Sequence, residues 1–162
     1  MALPFINSKN DYFFQDFNKL VLNWKIVDSY LIIKGYNWNE IEIYKKAYFY
    51  FIKYPDHFDG ATMTEDLRDV FNLDLDAMLH DYYYVKYGVS ASFRYTKIAD
   101  DLFFIETLRK GKSSWNAGYR RVMLKLKSYC GFHLYVKYVL KREFTDEHKA
   151  LFLSDVEILL KR

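Results

Sequence analysis

The chain has 162 residues, with 16 Tyr, 14 Phe and 3 Trp against only 6 Gly and 2 Pro. So many aromatic side chains exclude an intrinsically disordered protein, because disorder requires too little apolar surface to offset the entropy of the chain. The scarcity of Gly and Pro argues against a turn-rich β-sandwich or barrel, and the single Cys excludes a disulfide scaffold.

Helix-capping residues divide the chain into predicted helices. Asn37 and Glu40 have the spacing of a capping box, Asp74 is placed to begin a helix, and Gly35 and Pro55 are placed to end one. The predicted helices span residues 11–34, 41–53, 62–71, 74–87, 92–110, 113–129, 132–142 and 145–160.

These helices predict an all-α fold of about seven helices in one compact domain, residues 1–162. Residues 48–52 have strand propensity, so a minor strand element is an alternative there. Within the domain we expect an aromatic N-terminal interaction element (1–55), a helical core (56–131) and C-terminal helices (132–162). No run of about eighteen uncharged apolar residues occurs, so no membrane span is expected.

Charge is distributed unevenly along the chain. Residues 56–81 hold eight acids against one base, and residues 108–142 hold ten bases and no acid. Such asymmetry favours contacts within the fold, head-to-tail contacts between copies, or contact with nucleic acid; solvated helix faces are the simpler alternative. The bases predicted to face a partner or DNA are Arg109, Lys110, Lys112, Arg120, Arg121, Lys125 and Lys127.

Three motifs occur in a fixed order in the middle of the chain. They are Asp59-Gly60-Ala61-Thr62, then His80-Asp81 with Tyr84, then Ala99-Asp100 with Phe103. Their order and spacing resemble a small phage-encoded domain family of unknown function, over roughly residues 57–131. The resemblance implies a helical core and a bacteriophage setting.

The pattern His-Asp-x-x-Tyr is also similar to the active site of phospholipase A2. That resemblance implies His80 as general base, Asp100 as the carboxylate that orients it, and Tyr84 as a supporting phenol. It further implies Asp81, helped by Asp59, as a calcium ligand. The glycine-rich calcium loop of those enzymes is missing before His80, and a buried His bonded to a carboxylate between two helices is the structural alternative.

Tyrosines are unusually dense in the first third of the chain. Tyr44, Tyr48, Tyr50 and Tyr54 fall on two helical stripes of the predicted helix 41–53. Core packing accounts for each stripe taken singly, but the surplus of rings favours an interface, where tyrosine buries area and its hydroxyl tolerates water. We therefore expect these four residues to contact a partner.

Together these observations favour a bacteriophage virion structural protein, a subunit of a head-to-tail connector or tail ring. We expect it to assemble in the host cytoplasm with copies of itself and other virion proteins, and to contact passing DNA without sequence specificity. An enzyme is less favoured, and no cofactor is expected. The alternatives are a calcium-dependent phospholipase A2-like ester hydrolase and a non-specific nucleic-acid binder.

Overall fold

The computed structural model describes residues 17–58 and 73–161, with side chains from residue 24 onward. These residues form seven α-helices, and the predicted all-α class is confirmed for them. The helices are α1 (Phe17–Ile33), α2 (Trp38–Lys53), α3 (Leu75–Lys86), α4 (Phe93–Arg109), α5 (Ser114–Tyr129), α6 (Phe132–Leu134) and α7 (Asp146–Leu160). Short 3₁₀ turns at Pro55–His57 and Val89–Ala91 and a π-helical turn at Tyr135–Val139 complete the described elements.

The strand alternative for residues 48–52 is wrong, because these residues lie inside α2. The first residues of the predicted helix 11–34, the predicted helix 62–71 and the motif at Asp59 lie outside the described residues. Among the described residues, no helix is both long and apolar enough to cross a membrane, as expected from the composition.

The chain forms two compact units, Met1–Asp81 and Tyr82–Arg162. The division falls within α3, inside the helical core that the sequence predicts for residues 56–131. Each unit is described below by itself.

Local sequence signals account for where three of the described helices begin. Asn37 and Glu40 form the predicted capping box, with the Glu40 amide 3.1 Å from Asn37 Oδ1 and the Asn37 amide 2.7 Å from Glu40 Oε2. Asp74 Oδ1 accepts hydrogen bonds from the amides of Asp76 and Ala77 at the start of α3, 3.1 Å each. Thr145 Oγ1 accepts from the His148 amide at the start of α7. Side-chain oxygens therefore satisfy helix amides that would otherwise lack partners.

Glycine ends α1 as predicted. Gly35 has φ +82°, its amide bonds to Ile32, and the Tyr36 amide bonds back to Leu31, which together form a Schellman motif. Tyr36 and Leu31 are both buried, so the same turn that ends α1 also anchors the chain in the core.

The first unit is built on the hairpin of α1 and α2, joined by four residues. Trp24 of α1 packs on Tyr48 of α2 with ring centroids 5.2 Å apart, and Tyr36 meets Tyr44 edge-on at 5.4 Å. The most deeply buried apolar residues of this hairpin are Val27, Leu31, Ile43, Tyr44, Ala47, Tyr48 and Phe51. An aromatic core of this kind is what the composition requires.

The second unit is built on the antiparallel hairpin of α4 and α5. Arg121 meets Asp101, Arg120 lies over Phe103, and Tyr129 meets Phe93. In each pair the two residue numbers add to nearly the same value, which is the register of antiparallel helices joined by a short loop. Phe152 of α7 is completely buried and packs against Tyr83 and Tyr95.

The predicted helix 132–142 is regular only at its start. After α6 the chain widens into the π-helical turn, where the Leu140 amide bonds to the Tyr135 carbonyl five residues back. Lys141 then adopts a left-handed conformation, φ +52°, and the chain runs without helix to the Thr145 cap. Val136 is buried by this arrangement while Tyr138 stays exposed.

Candidate functional site

The helix α3 carries three of the residues predicted as a catalytic site. His80 and Asp81 are each 7 % exposed, and His80 Nδ1 lies 3.6 Å from Asp81 Oδ1. This distance is longer than a hydrogen bond, and the contact is an ion pair only when the imidazole is protonated. The first unit therefore holds a buried acid next to a buried histidine.

Tyr84 and Asp100 are brought together in the second unit. The Tyr84 hydroxyl donates a hydrogen bond to Asp100 Oδ1 at 2.6 Å, and both residues are buried. The short loop between α3 and α4 places them face to face, and Ser90 in that loop donates to the Tyr84 carbonyl. A short bond between a phenol and a carboxylate joins the two helices here, whereas the structural alternative predicted a His bonded to a carboxylate between them.

The structure does not test whether the predicted catalytic residues form one site. His80 and Asp100 belong to different units, and Asp59 lies outside the described residues. Within the described ranges, no group of three or more His, Cys, Asp or Glu side chains is placed to hold a metal ion. The role of Asp81 as a calcium ligand therefore gains no support from a surrounding ligand cluster.

A cluster of buried tyrosines follows Asp81. The Tyr82 hydroxyl donates to that of Tyr87 at 3.4 Å, and the rings of Tyr83 and Tyr87 stack with centroids 5.9 Å apart. Burial raises the pKa of all three, and the carboxylate of Asp155 raises each further because it disfavours a second negative charge. The phenols in this cluster stay neutral across the physiological range.

Most residues of the predicted basic block are buried or contact acids and aromatic rings of the same chain. Lys110 and Arg120 are 3 % and 2 % exposed, so the prediction that they face a partner or DNA is wrong. Lys110 Nζ lies 3.6 Å from Glu106 Oε2, and the Arg120 guanidinium lies 4.7 Å from the centre of the Phe103 ring. Burial of these cations is tolerated because a carboxylate and an aromatic face receive them.

The remaining bases of the block are also engaged or half-buried. Arg121 bonds to Asp101 through Nε at 2.9 Å and Nη2 at 2.7 Å, and Arg109 lies 3.8 Å from Glu106. Lys127 lies 4.1 Å from the centre of the Phe132 ring. Lys112 and Lys125 are half-buried. The acids of α4 neutralise bases that follow them in the chain, which is the alternative of attraction within the fold.

The predicted aromatic interface is divided by the structure. Tyr44 and Tyr48 are completely buried, so their assignment to an interface is wrong; they pack in the α1–α2 core. Tyr54 is 40 % exposed, and its ring stacks on His57 at 5.2 Å. Tyr50 is half-buried, and its hydroxyl lies 2.7 Å from His57 Nδ1. Of the four predicted interface tyrosines, Tyr50 and Tyr54 are therefore the two that are still accessible to a partner.

An exposed apolar stripe lies on α5 and was missed by the sequence analysis. Five exposed apolar residues follow one another at spacings of four, three, four and three residues along this helix. They form the α5 stripe, which consists of Trp115, Tyr119, Val122, Leu126 and Tyr129, with exposures of 80, 51, 56, 52 and 68 %. This spacing keeps one face of a helix apolar and is the pattern of a helix–helix seam. It is visible in the sequence, but a helix is normally expected to bury such a face.

The comparisons identify no relative: no protein-family model, curated protein or solved structure matches this chain. The resemblance to the phage-encoded family and the similarity to phospholipase A2 therefore stay predictions from the motifs.

Proposed function

We propose that this protein is a structural subunit that assembles with copies of itself, and that the α5 stripe is one of its contact surfaces. The observation that carries the proposal is an apolar stripe with heptad spacing that is exposed along the whole of α5. A contiguous exposed apolar patch of several hundred Å² is typical of an interaction site. The bacteriophage connector or tail ring is the proposed setting, and it rests on the motif resemblance.

The size of the stripe suits a protein contact. Its five side chains expose roughly 600 Å² in total, given the areas of such residues, whereas a standard interface buries about 800 Å² per partner. The stripe would therefore supply most of one side of an interface.

Charge on α5 does not oppose a second copy. The helix has no acidic residue, and four of its residues are basic. Arg120 is buried and Arg121 is paired with Asp101, while Lys127 lies against Phe132. Three of the four cations are directed to the fold and Lys125 is half-buried, so the stripe carries little charge and a partner chosen by opposite charge is not required.

The occupant that we propose for the stripe is a second apolar patch on the next copy. We name as the α1 patch the exposed apolar residues of the first unit Ile26, Ile32 and Ile33 on α1 and Trp38 at the start of α2, with exposures of 48, 58, 81 and 69 %. Two different patches on one chain are what a head-to-tail contact needs, and such contacts close into rings when the rotation between copies allows it.

The first test is assembly in solution. Light scattering coupled to size-exclusion chromatography should show a defined oligomer for the wild-type chain, and Leu126→Lys should dissociate it because a charge enters the centre of the stripe. Leu153→Lys, at a 42 % exposed apolar residue of α7, is the matched control and should assemble as wild type. A wild-type chain that stays monomeric at high concentration would refute the proposal.

Mixing two variants tests the head-to-tail arrangement. Leu126→Lys lacks the stripe and Ile33→Lys lacks the α1 patch, so each alone should be monomeric while the mixture forms a 1:1 complex that grows no further. If Ile33→Lys assembles by itself and Leu126→Lys does not, the stripe binds its own symmetry mate, and the ring arrangement is wrong.

A further inference from the structure

A cleft in the second unit is lined by basic residues that lie outside the seven bases predicted to face a partner or DNA. The cleft has a volume of about 740 Å³. It lies where the π-helical turn, the non-helical segment 141–145 and the first turn of α7 meet Ala91 and Ser92. Clefts of this size hold small molecules or short stretches of a polymer.

The rim of the cleft is held in place by the backbone around it. The Arg142 amide bonds to the Val136 carbonyl at 3.2 Å, and Phe144 packs edge-on against Tyr95 at 4.9 Å. Gly88 approaches the Glu143 carbonyl so closely that a Cβ there would lie 3.0 Å from the carbonyl carbon. The segment 141–145 is therefore fixed at several points, and the cleft is preformed.

The charge of the lining is strongly positive. Four basic side chains line the cleft, and Glu143 is the one acid among the lining residues. The basic residues are Lys137, Lys141, Arg142 and Lys149. Lys149 pairs with Asp146 at 2.7 Å, but within the described part of the chain no ion pair involves the other three. In this they differ from Lys110 and Arg121, which the acids of α4 neutralise.

An exposed aromatic ring lies among these cations. Tyr138 lines the cleft and is 66 % exposed, with Lys137 Nζ 5.4 Å from its ring centre. Ser92 and Thr145 add hydroxyl groups to the lining. A positively charged groove that tracks phosphates, combined with an exposed ring on which a base can stack, is how proteins bind single-stranded nucleic acid without sequence preference.

We propose that this cleft binds single-stranded nucleic acid, with Lys137, Lys141 and Arg142 contacting backbone phosphates and Tyr138 stacking on a base. The inference goes beyond the assembly function and uses none of the residues of the α5 stripe or the α1 patch. Binding and assembly can therefore fail independently.

The charge is tested by the fluorescence anisotropy of a labelled oligothymidylate, titrated with the full chain between about 50 and 200 mM salt. The double variant Lys137→Gln, Lys141→Asn should weaken binding at least tenfold and lower the salt slope by about 1.4, for two lost phosphate contacts. Asn is used at position 141 because it tolerates the left-handed backbone. The matched control is Lys25→Gln, Lys46→Gln, which removes two exposed charges from the first unit and should bind as wild type.

The ring is tested separately from the charge. Tyr138→Ser should weaken binding about tenfold with the salt slope unchanged, because the ring that stacks on a base is lost while no cation is removed. Tyr138→Phe keeps the ring and should bind as wild type. Circular dichroism checks that each variant is folded.

Three outcomes would overturn the proposal. The wild-type chain does not bind the oligonucleotide at low salt; the control double variant loses as much affinity as the cleft variant; or ATP or inorganic phosphate displaces the oligonucleotide at matched concentration. The last result would assign the cleft to a small phosphate-bearing ligand.

Discussion

At the scale of single residues, two neighbouring tyrosines of α3 differ in whether their hydroxyl groups are hydrogen-bonded. The Tyr84 hydroxyl donates to Asp100 at 2.6 Å. The Tyr83 hydroxyl is buried and has no hydrogen-bond partner in the described part of the chain. Since a buried polar group is stabilising only when it is bonded, the two hydroxyls should differ in their contribution to folding.

Tyr84→Phe should therefore lower the free energy of unfolding by about 1.5–3 kcal/mol, the range for a hydrogen bond to a charged group. Tyr83→Phe removes a hydroxyl of similar burial and should be neutral or stabilising, within about 1 kcal/mol. Urea denaturation of both variants measures the difference. Equal losses in the two variants would contradict the proposed structural role of the Tyr84–Asp100 bond.

The residue scale also shows what the sequence could reveal of the candidate site. The pairing of Tyr84 with Asp100 could have been predicted from the sequence, because both residues belong to predicted helices joined by a short loop. The burial of Arg120 could not have been predicted, because a cation is ordinarily assigned to the surface. Its burial here is stabilised by the ring of Phe103, seventeen positions earlier in the chain. Contacts between distant segments decide such cases.

At the scale of elements, glycines fix two connections for different reasons. Gly35 and Gly88 both have positive φ, +82° and +73°. A Cβ at Gly35 would meet nothing within 4 Å, whereas at Gly88 it would collide with the Glu143 carbonyl oxygen. Of these two glycines, Gly88 alone serves both a left-handed backbone and a close approach of two chain segments.

Gly35→Ala should cost about 1–2 kcal/mol of stability from the left-handed conformation alone. Gly88→Ala should cost that amount and about 1–3 kcal/mol more, since the collision is with backbone and no side chain can move aside. Thermal unfolding of the two variants, compared with wild type, measures both. A Gly88→Ala variant no less stable than Gly35→Ala would show that segment 141–145 yields easily.

Helix limits were predicted well where a local signal sets them. Asn37 and Asp74 cap their helices through side-chain bonds, as predicted, and Thr145 does the same at the start of the predicted helix 145–160. Ser92 and Ser113 precede α4 and α5 but make no side-chain cap bond, so there the residue type indicated the position without the interaction. The π-helical turn was not predicted, because such a turn has no residue signature of its own.

At the scale of the whole molecule, the many buried tyrosines make the folded state sensitive to alkaline pH. Burial raises the pKa of Tyr48, Tyr82, Tyr83 and Tyr87 above the value of about 10 that an unfolded tyrosine has. Below that pH the phenols are neutral in both states, and stability is intact. Above it the unfolded chain ionises first, so the free energy of unfolding falls by up to about 1.4 kcal/mol per pH unit for each tyrosine.

We therefore expect cooperative loss of helix above about pH 10, coincident with tyrosinate absorbance, followed by circular dichroism and ultraviolet absorbance together. Tyr83→Phe should move the midpoint to higher pH, because one of the buried groups no longer titrates. Helix content that persists while all tyrosines ionise would contradict this expectation.

The class of the fold could be predicted from composition, but the surface could not. Many aromatic residues and few glycines are enough to indicate packed helices. Composition does not indicate which rings are buried and which are exposed. Tyr44 and Tyr119 are the same residue type on amphipathic helices, but Tyr44 is buried and Tyr119 is exposed. The deciding factor is which face of each helix its neighbour covers.

The turn that ends α5 offers a direct way to observe the stripe. Cys130 is the single cysteine of the chain, is exposed, and directly follows Tyr129, the last residue of the stripe. A maleimide dye would therefore attach at one position without any engineered cysteine. Its emission would report on wetting and crowding at that end of α5, so the kinetics of subunit exchange could be followed by energy transfer between differently labelled copies.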